Sequence, residues 1–140
     1  MTEVAFHFNV PDKMGYICRL LRKAVLGGAR VVVKGEAPSL RQLDTALWTF
    51  SALDFVPHCL GLADPLVSAN SPVVLAETAL SAPHQQVLVN WSAGVPEGFE
   101  QFERLIEVVT VDDQDRADAR RRWKHYADRG YAITRHDLAL

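Results

Sequence analysis

Apolar positions along this chain switch between two periods, and each switch predicts an element. From Thr2 to Asn9 (TEVAFHFN) they alternate, with Val4, Phe6 and Phe8 on one side, the two-residue period of a strand. Pro11 and Asp12 break that run. From Lys13 to Leu26, Met14, Ile17, Leu20, Leu21, Ala24 and Val25 return at helical spacing, and Gly27-Gly28 ends the helix. Ala29 to Lys34 (ARVVVK) reads as the next strand, its unbroken Val31-Val32-Val33 run suiting burial on both faces. Gly35 to Pro38 predicts a turn. Ser39, with Gln42 three residues later, fits a capping box for a second helix whose inner face is Leu40, Leu43, Ala46, Leu47 and Phe50.

In Asp54–Leu60 (DFVPHCL) Pro57 bars an ordinary central strand, so a short strand is expected at Phe55-Val56, followed by a loop holding His58. Gly61 to Ser71 reads as an exposed connection. Pro72–Ala76, Gln86–Asn90 and Leu105–Val111 predict further strands, separated by loops at Thr78–His84 and Trp91–Pro96 and a short amphipathic segment at Gly98–Phe102. Asp112 to Gly130 is the longest helix signal, and Tyr131–Thr134 (YAIT) supplies a last strand or extended tail. Short Val/Leu-rich strands with intervening helices predict an α/β fold with a mainly parallel central sheet flanked by helices. The pattern leaves strand order open.

At 140 residues the chain fits one domain, 1–140, since two independent cores would be unusually small. Lys and Arg number 15 against 17 Asp and Glu, so there is no global basic field, and phosphate affinity would need a local patch. No apolar run approaches the roughly 20 residues that cross a bilayer, and no cationic-then-apolar leader opens the chain, so the expected location is cytoplasmic. Cys18 and Cys59 suggest no disulfide framework or metal knuckle.

Catalytic patterns are missing from the sequence: no Walker loop, H-E-x-x-H, G-x-S-x-G or close metal cluster, and no G-x-G-x-x-G in the opening strand–helix–strand unit. No cofactor or metal is expected. Asp112, Asp113 and Asp115 are explained by stabilising a helix start. His58 beside Cys59 evokes a thiolate pair, but sequence neighbours in a strand point apart. His7 falls on the face opposite Phe6 and Phe8, where solvent or sheet packing explains it.

The last helix holds the main charge concentration. Acid at its start and base further on both suit the helix dipole. Arg116, Arg120, Trp123 and Lys124, spaced three or four apart, form one ridge with two guanidiniums, an ammonium and an aromatic plate. Two readings stand side by side. One is a solvated basic face with Trp123 and Tyr126 packed inward; the other is a surface that receives a small acidic partner ending in an apolar group. Direct single-stranded DNA binding is a further alternative, with Arg116, Arg120, Arg121, Arg122 and Lys124 on phosphates and Trp123 stacking a base. Four aspartates in the same helix favour an acidic protein tail. An unrecognised small-molecule enzyme is the remaining alternative.

Three stretches resemble the chi subunit of bacterial DNA polymerase III: VAFHFN, LDTALWTFSALDFVPHCL (Leu43–Leu60) and ARRRWKHYADRGY (Ala119–Tyr131). ALW followed by FVPH is the most specific signal, because no folding requirement of an α/β domain demands it. The resemblance implies a single Rossmann-like three-layer domain and a noncatalytic accessory subunit. Such a subunit links the clamp loader, through psi where present, to the acidic C-terminal tail of single-stranded DNA-binding protein (SSB), which ends in phenylalanine with a free carboxylate. It further implies that Arg116, Arg120, Trp123 and Lys124, with Val109 as the apolar pocket, receive that tail. Trp123 stands where a tyrosine is common, which removes a phenolic hydrogen bond but keeps the aromatic packing. Trp48, Phe55, Pro57 and His58 are the implied psi or clamp-loader interface, and association with single-stranded DNA is indirect.

Overall fold

The computed structural model describes residues 1–49, 56–60, 70–80 and 82–138. Among these, seven strands form one sheet: β1 (Glu3–Val10), β2 (Val31–Lys34), β3 (His58–Leu60), β4 (Val73–Ala76), β5 (Val87–Asn90), β6 (Arg104–Thr110) and β7 (Ile133–Asp137). Their order is β3-β4-β2-β5-β6-β1-β7, and every pairing is parallel. The α-helices described with them include α1 (Lys13–Leu26), α2 (Ala37–Thr49) and α3 (Asp113–Asp128). A single 3₁₀ turn spans Phe99–Gln101.

Strand alternation sorts the core into two layers. Val31, Val33, Val73, Leu75, Val89, Ile106 and Val108 meet Ile17, Cys18 and Leu21 of α1 and Leu40, Leu43 and Leu47 of α2. Val4, Phe6, Val32, Val74, Leu88, Leu105 and Val109 face the other way, toward Phe99, Phe102 and the α3 residues Ala119 and Tyr126. With helices on both faces, β2 must be apolar on both, which explains its valine run. The result is the expected Rossmann-like, three-layer α/β arrangement.

Local chemistry sets most boundaries. Asp12 caps α1 by accepting from the Gly15 amide at 3.2 Å. The helix ends in a Schellman arrangement, with Gly28 N–H donating to Val25 O and Ala29 N–H to Ala24 O, around Gly28 at φ 81. α3 closes the same way at Gly130, φ 79, with Gly130 N–H on Ala127 O and Tyr131 N–H on Tyr126 O.

Three boundaries differ from expectation. α2 begins at Ala37, so Ser39 lies inside the first turn and is not its cap; Pro38 is tolerated there because a first-turn N–H has no partner within the helix. A short strand lies at His58–Leu60, and Val56, the described half of the expected Phe55-Val56 strand, is not in one. Pro57 has no N–H for the ladder, so pairing starts just after it and His58 stands in a strand, not a loop. Phe50 and Phe55, and most of the expected connection after Leu60, lie outside the described residues. Finally, β7 runs to Asp137, three residues beyond Thr134, with Arg135 opposite Phe6 and Asp137 opposite Phe8 on β1.

β1 carries one extra residue near its end: the register against β6 passes from His7↔Val108 to Val10↔Thr110. Asn9 makes this bulge in the left-handed region at φ 59, which asparagine accepts more readily than most residues. As a consequence Val10 joins the α1/α2 layer although Phe6 belongs to the α3 layer.

His7 lies on the α1 side of β1, half-buried, hydrogen-bonded through Nδ1 to the Tyr16 hydroxyl. Its ring centroid is 4.8 Å from that of His136. Burial first, then the His136 and Arg104 charges, hold its pKa down from 6.5 to about 4. The unfolded chain therefore takes up a proton that the folded chain refuses. This contribution to stability is complete above about pH 6.5 and is lost as pH falls through the window toward 4. Urea unfolding at about pH 7.5 and pH 5 should show a stability loss on the order of 1 kcal/mol, discounted for partial exposure, that His7→Gln removes. Equal acid sensitivity in the variant would contradict this.

Candidate functional site

The start of α3 is fixed by the acids that crowd it. Asp112 accepts from the Asp115 amide at 3.1 Å. Asp115 in turn reaches back to the end of β6, accepting from Thr110 N at 2.8 Å and Thr110 Oγ1 at 2.9 Å. These carboxylates therefore tie the helix to the strand before it.

The rotation of α3 is fixed by a buried polar network. Glu107 on β6 is wholly buried, and its Oε1 accepts from Arg122 Nε at 3.0 Å while Oε2 accepts from the Tyr126 hydroxyl at 2.6 Å. Asn90, directly across on β5, donates Nδ2 to both oxygens at 3.1 Å. Arg122 also donates to the Ala93 carbonyl at 2.8 Å. Burial pushes the Glu107 carboxyl up and Arg122 pulls it partly back; the Tyr126 hydroxyl is pushed up by burial and by the Glu107 charge. Arg122 thus leaves the set of arginines expected to grip phosphate, because its charge is consumed inside the protein. Arg121, in contrast, is exposed and pairs with Asp118.

With Ala119, Arg122 and Tyr126 turned to the sheet, a helix advancing about 100° per residue turns Arg116, Arg120 and Trp123 to one flank. There they line a groove of ≈ 480 Å³ with Val109 and Thr110 of β6, Phe8 and Asn9 of β1, Ala119, and Arg135 and Asp137 of β7. Trp123 is partly buried and its ring lies 5.0 Å from Phe6 and 6.1 Å from Phe8. Arg116 and Arg120 are exposed on the helix side, and Val109 is buried beneath. Lys124 lies on the solvent side of that flank. It is exposed and does not line the groove, since one residue past Trp123 is about a quarter-turn further toward solvent.

Six groove residues escaped the sequence reading: Phe8, Asn9, Thr110, Ala119, Arg135 and Asp137. Phe8 had a signal, because alternation placed it with Phe6. Asn9, Arg135 and Asp137 had none strong enough: the bulge is not written in the period, and Arg135 and Asp137 lie past the expected strand end.

The second implicated region sits beside β3. His58 Nε2 lies 2.9 Å from Asp44 Oδ1 on α2, and its Nδ1 lies 2.6 Å from the Val56 carbonyl. Trp48, 62% exposed, meets the His58 ring edge-on at 5.6 Å, and Pro57 is exposed beside it. Cys59 is buried in the α3 layer. Adjacent strand positions separate it from the face His58 shares with α2, so the two form no thiolate–imidazole pair.

Comparisons with known proteins agree across the chain. A family profile described as "DNA polymerase III chi subunit, HolC" matches residues 1–134. The chain is 30% identical over 144 residues to the DNA polymerase III subunit chi of Pseudomonas aeruginosa, covering 99% of this chain and 98% of the relative. It is 26% identical over 119 residues to the subunit of the same name from Escherichia coli, covering 84% and 80%.

Two neighbouring arginines on α3 should behave oppositely. Arg122→Ala leaves the Glu107 charge buried without its partner and should cost roughly 3–5 kcal/mol in urea unfolding. Arg121→Ala, at the surface, should stay within about 0.5 kcal/mol of the parent. Similar losses for both would contradict the assigned network.

Proposed function

The chain belongs to the DNA polymerase III chi-subunit family, and from that premise we propose that it is a noncatalytic replication adaptor holding the acidic C-terminal tail of SSB in the α3 groove. The supporting observation is that Arg116, Arg120 and Trp123, with Val109 beneath, line one groove. Guanidiniums along one rim suit the aspartates and terminal carboxylate of such a tail, and the indole and valine suit its last phenylalanine. Arg116 meets upstream aspartates and Arg120 stands by the chain end. Lys124, outside the groove, adds a peripheral charge.

The adaptor's other contact, in this proposal, is psi or another clamp-loader component at Trp48, Phe55, Pro57 and His58. The exposed indole beside Pro57 supports it, because a large aromatic left in solvent is typical of interface anchors. Contact with single-stranded DNA is then indirect, and polymerase activity belongs to the assembly. The whole of 1–140 acts as one domain of a cytoplasmic protein; among the described residues no helix is long and apolar enough to cross a membrane.

Calorimetry with an acidic peptide ending in phenylalanine tests the groove. Arg120→Ala or Trp123→Ala should weaken binding by roughly 1–4 kcal/mol. Amidation of the peptide end should weaken it too, and salt should weaken it without abolishing the apolar anchor. Indifference to all of these changes removes the groove from the mechanism. Oligonucleotide titration without SSB separates the DNA-binding alternative, which requires tight binding that falls steeply with salt and with Arg121→Ala. On the β3 side, Trp48→Ala should reduce co-elution with psi in size-exclusion chromatography while leaving peptide binding unchanged; undiminished co-elution would remove Trp48 from that interface.

A further inference from the structure

β7 brings a cation into the groove from the side opposite the helix. The Arg135 guanidinium lies 5.2 Å from the centre of the Phe8 ring and 5.7 Å from that of Trp123. Both rings line the same groove as Arg116 and Arg120. A guanidinium laid over aromatic faces is held in orientation and partly stripped of water, while its N–H groups stay available at the edge. That is the state in which arginine grips a carboxylate with two parallel hydrogen bonds.

The position matters as much as the charge. Phe8 and Trp123 are the apolar surface that a ligand's last side chain would cover, and a terminal carboxylate is attached to the same Cα as that side chain. It therefore arrives within reach of whatever cation sits over those rings. Asp137 lies two residues on, lining the same groove and fixed by the Asn9 amide, whose Nδ2 donates to its Oδ1 at 2.8 Å. Its negative charge opposes carboxylates at this end, so one is held there only where a cation such as Arg135 offsets that repulsion.

We propose that Arg135 is a specificity-determining residue of the groove, reading the free terminal carboxylate of an acidic peptide so that the groove selects a chain end over an internal acidic segment. In this arrangement it joins Arg120 at the chain end. The inference rests on the groove being the peptide site.

The test is a cycle of two peptides and four proteins. An acidic peptide ending in phenylalanine is titrated as free acid and as amide into the parent, Arg135→Ala, Arg135→Lys and Arg120→Ala. Arg135→Ala should weaken the free acid by about tenfold or more and the amide by less than about twofold, collapsing the acid-to-amide ratio. Arg135→Lys should recover part of the affinity for the free acid, since a point charge replaces the two-pronged donor. Arg135 is exposed on an edge strand, so its variants should keep the parent unfolding midpoint. If Arg135→Ala weakens both peptides alike, or neither, while Arg120→Ala still weakens binding, the role of Arg135 falls and the groove stands. If the parent binds neither peptide, or Arg120→Ala changes nothing, the groove itself fails and the inference falls with it.

Discussion

The buried ion pair between Glu107 and Arg122 sets the geometry on which the proposed site depends. A carboxylate in the middle of a parallel sheet is costly unless every lone pair is used, and here Arg122, Tyr126 and Asn90 use them. Buried pairs of this kind contribute little net stability compared with an apolar replacement, but losing one partner is severe. What the pair supplies is orientation. Apolar contacts alone would tolerate rotation of α3 about its axis, whereas two donors from α3 and one from β5 converging on one carboxylate permit only one rotation.

That rotation decides which residues border the groove. Turning Arg122 and Tyr126 onto Glu107 turns Arg116, Arg120 and Trp123 to the flank over β1, and leaves Lys124 and Arg121 in solvent. The strand side is shaped independently. The bulge at Asn9 changes the course of β1 at its carboxyl end, and the Asn9–Asp137 hydrogen bond joins it to β7. Helix and strands therefore bring two groups of side chains to one concavity, one mainly cationic, the other aromatic with a cation and an acid.

Strand order gives the adaptor reading a spatial form. β7, which bounds the groove, is one edge of the sheet, and β3, beside Trp48 and His58, is the other. Two partners could thus be held at once without competing for surface. Pro57 at the start of β3 and the short length of that strand also limit strand-to-strand association at that edge.

Much of the fold was legible because burial imposes periods. The alternation in β1, the double-faced valines of β2 and the helical spacing of α1 each report which side of a backbone meets the core, and glycine after α1 and α3 reports where the helix must stop. The α3 flank was legible for the same reason, since Arg116, Arg120 and Trp123 recur at a helical interval. Whether Lys124 borders the groove was not legible, because the interval from Arg120 does not say how far around the helix the groove extends. Arg122 was misread because nothing local distinguishes an arginine facing solvent from one facing a glutamate fifteen residues earlier. Strand order, the bulge, and the meeting of Phe8 and Arg135 with Trp123 depend on contacts between residues far apart in the chain. Local pattern determined the elements and their buried sides; only the assembled sheet, through the Glu107 network and the pairing of β1 with β7, decided which side chains came to share a groove.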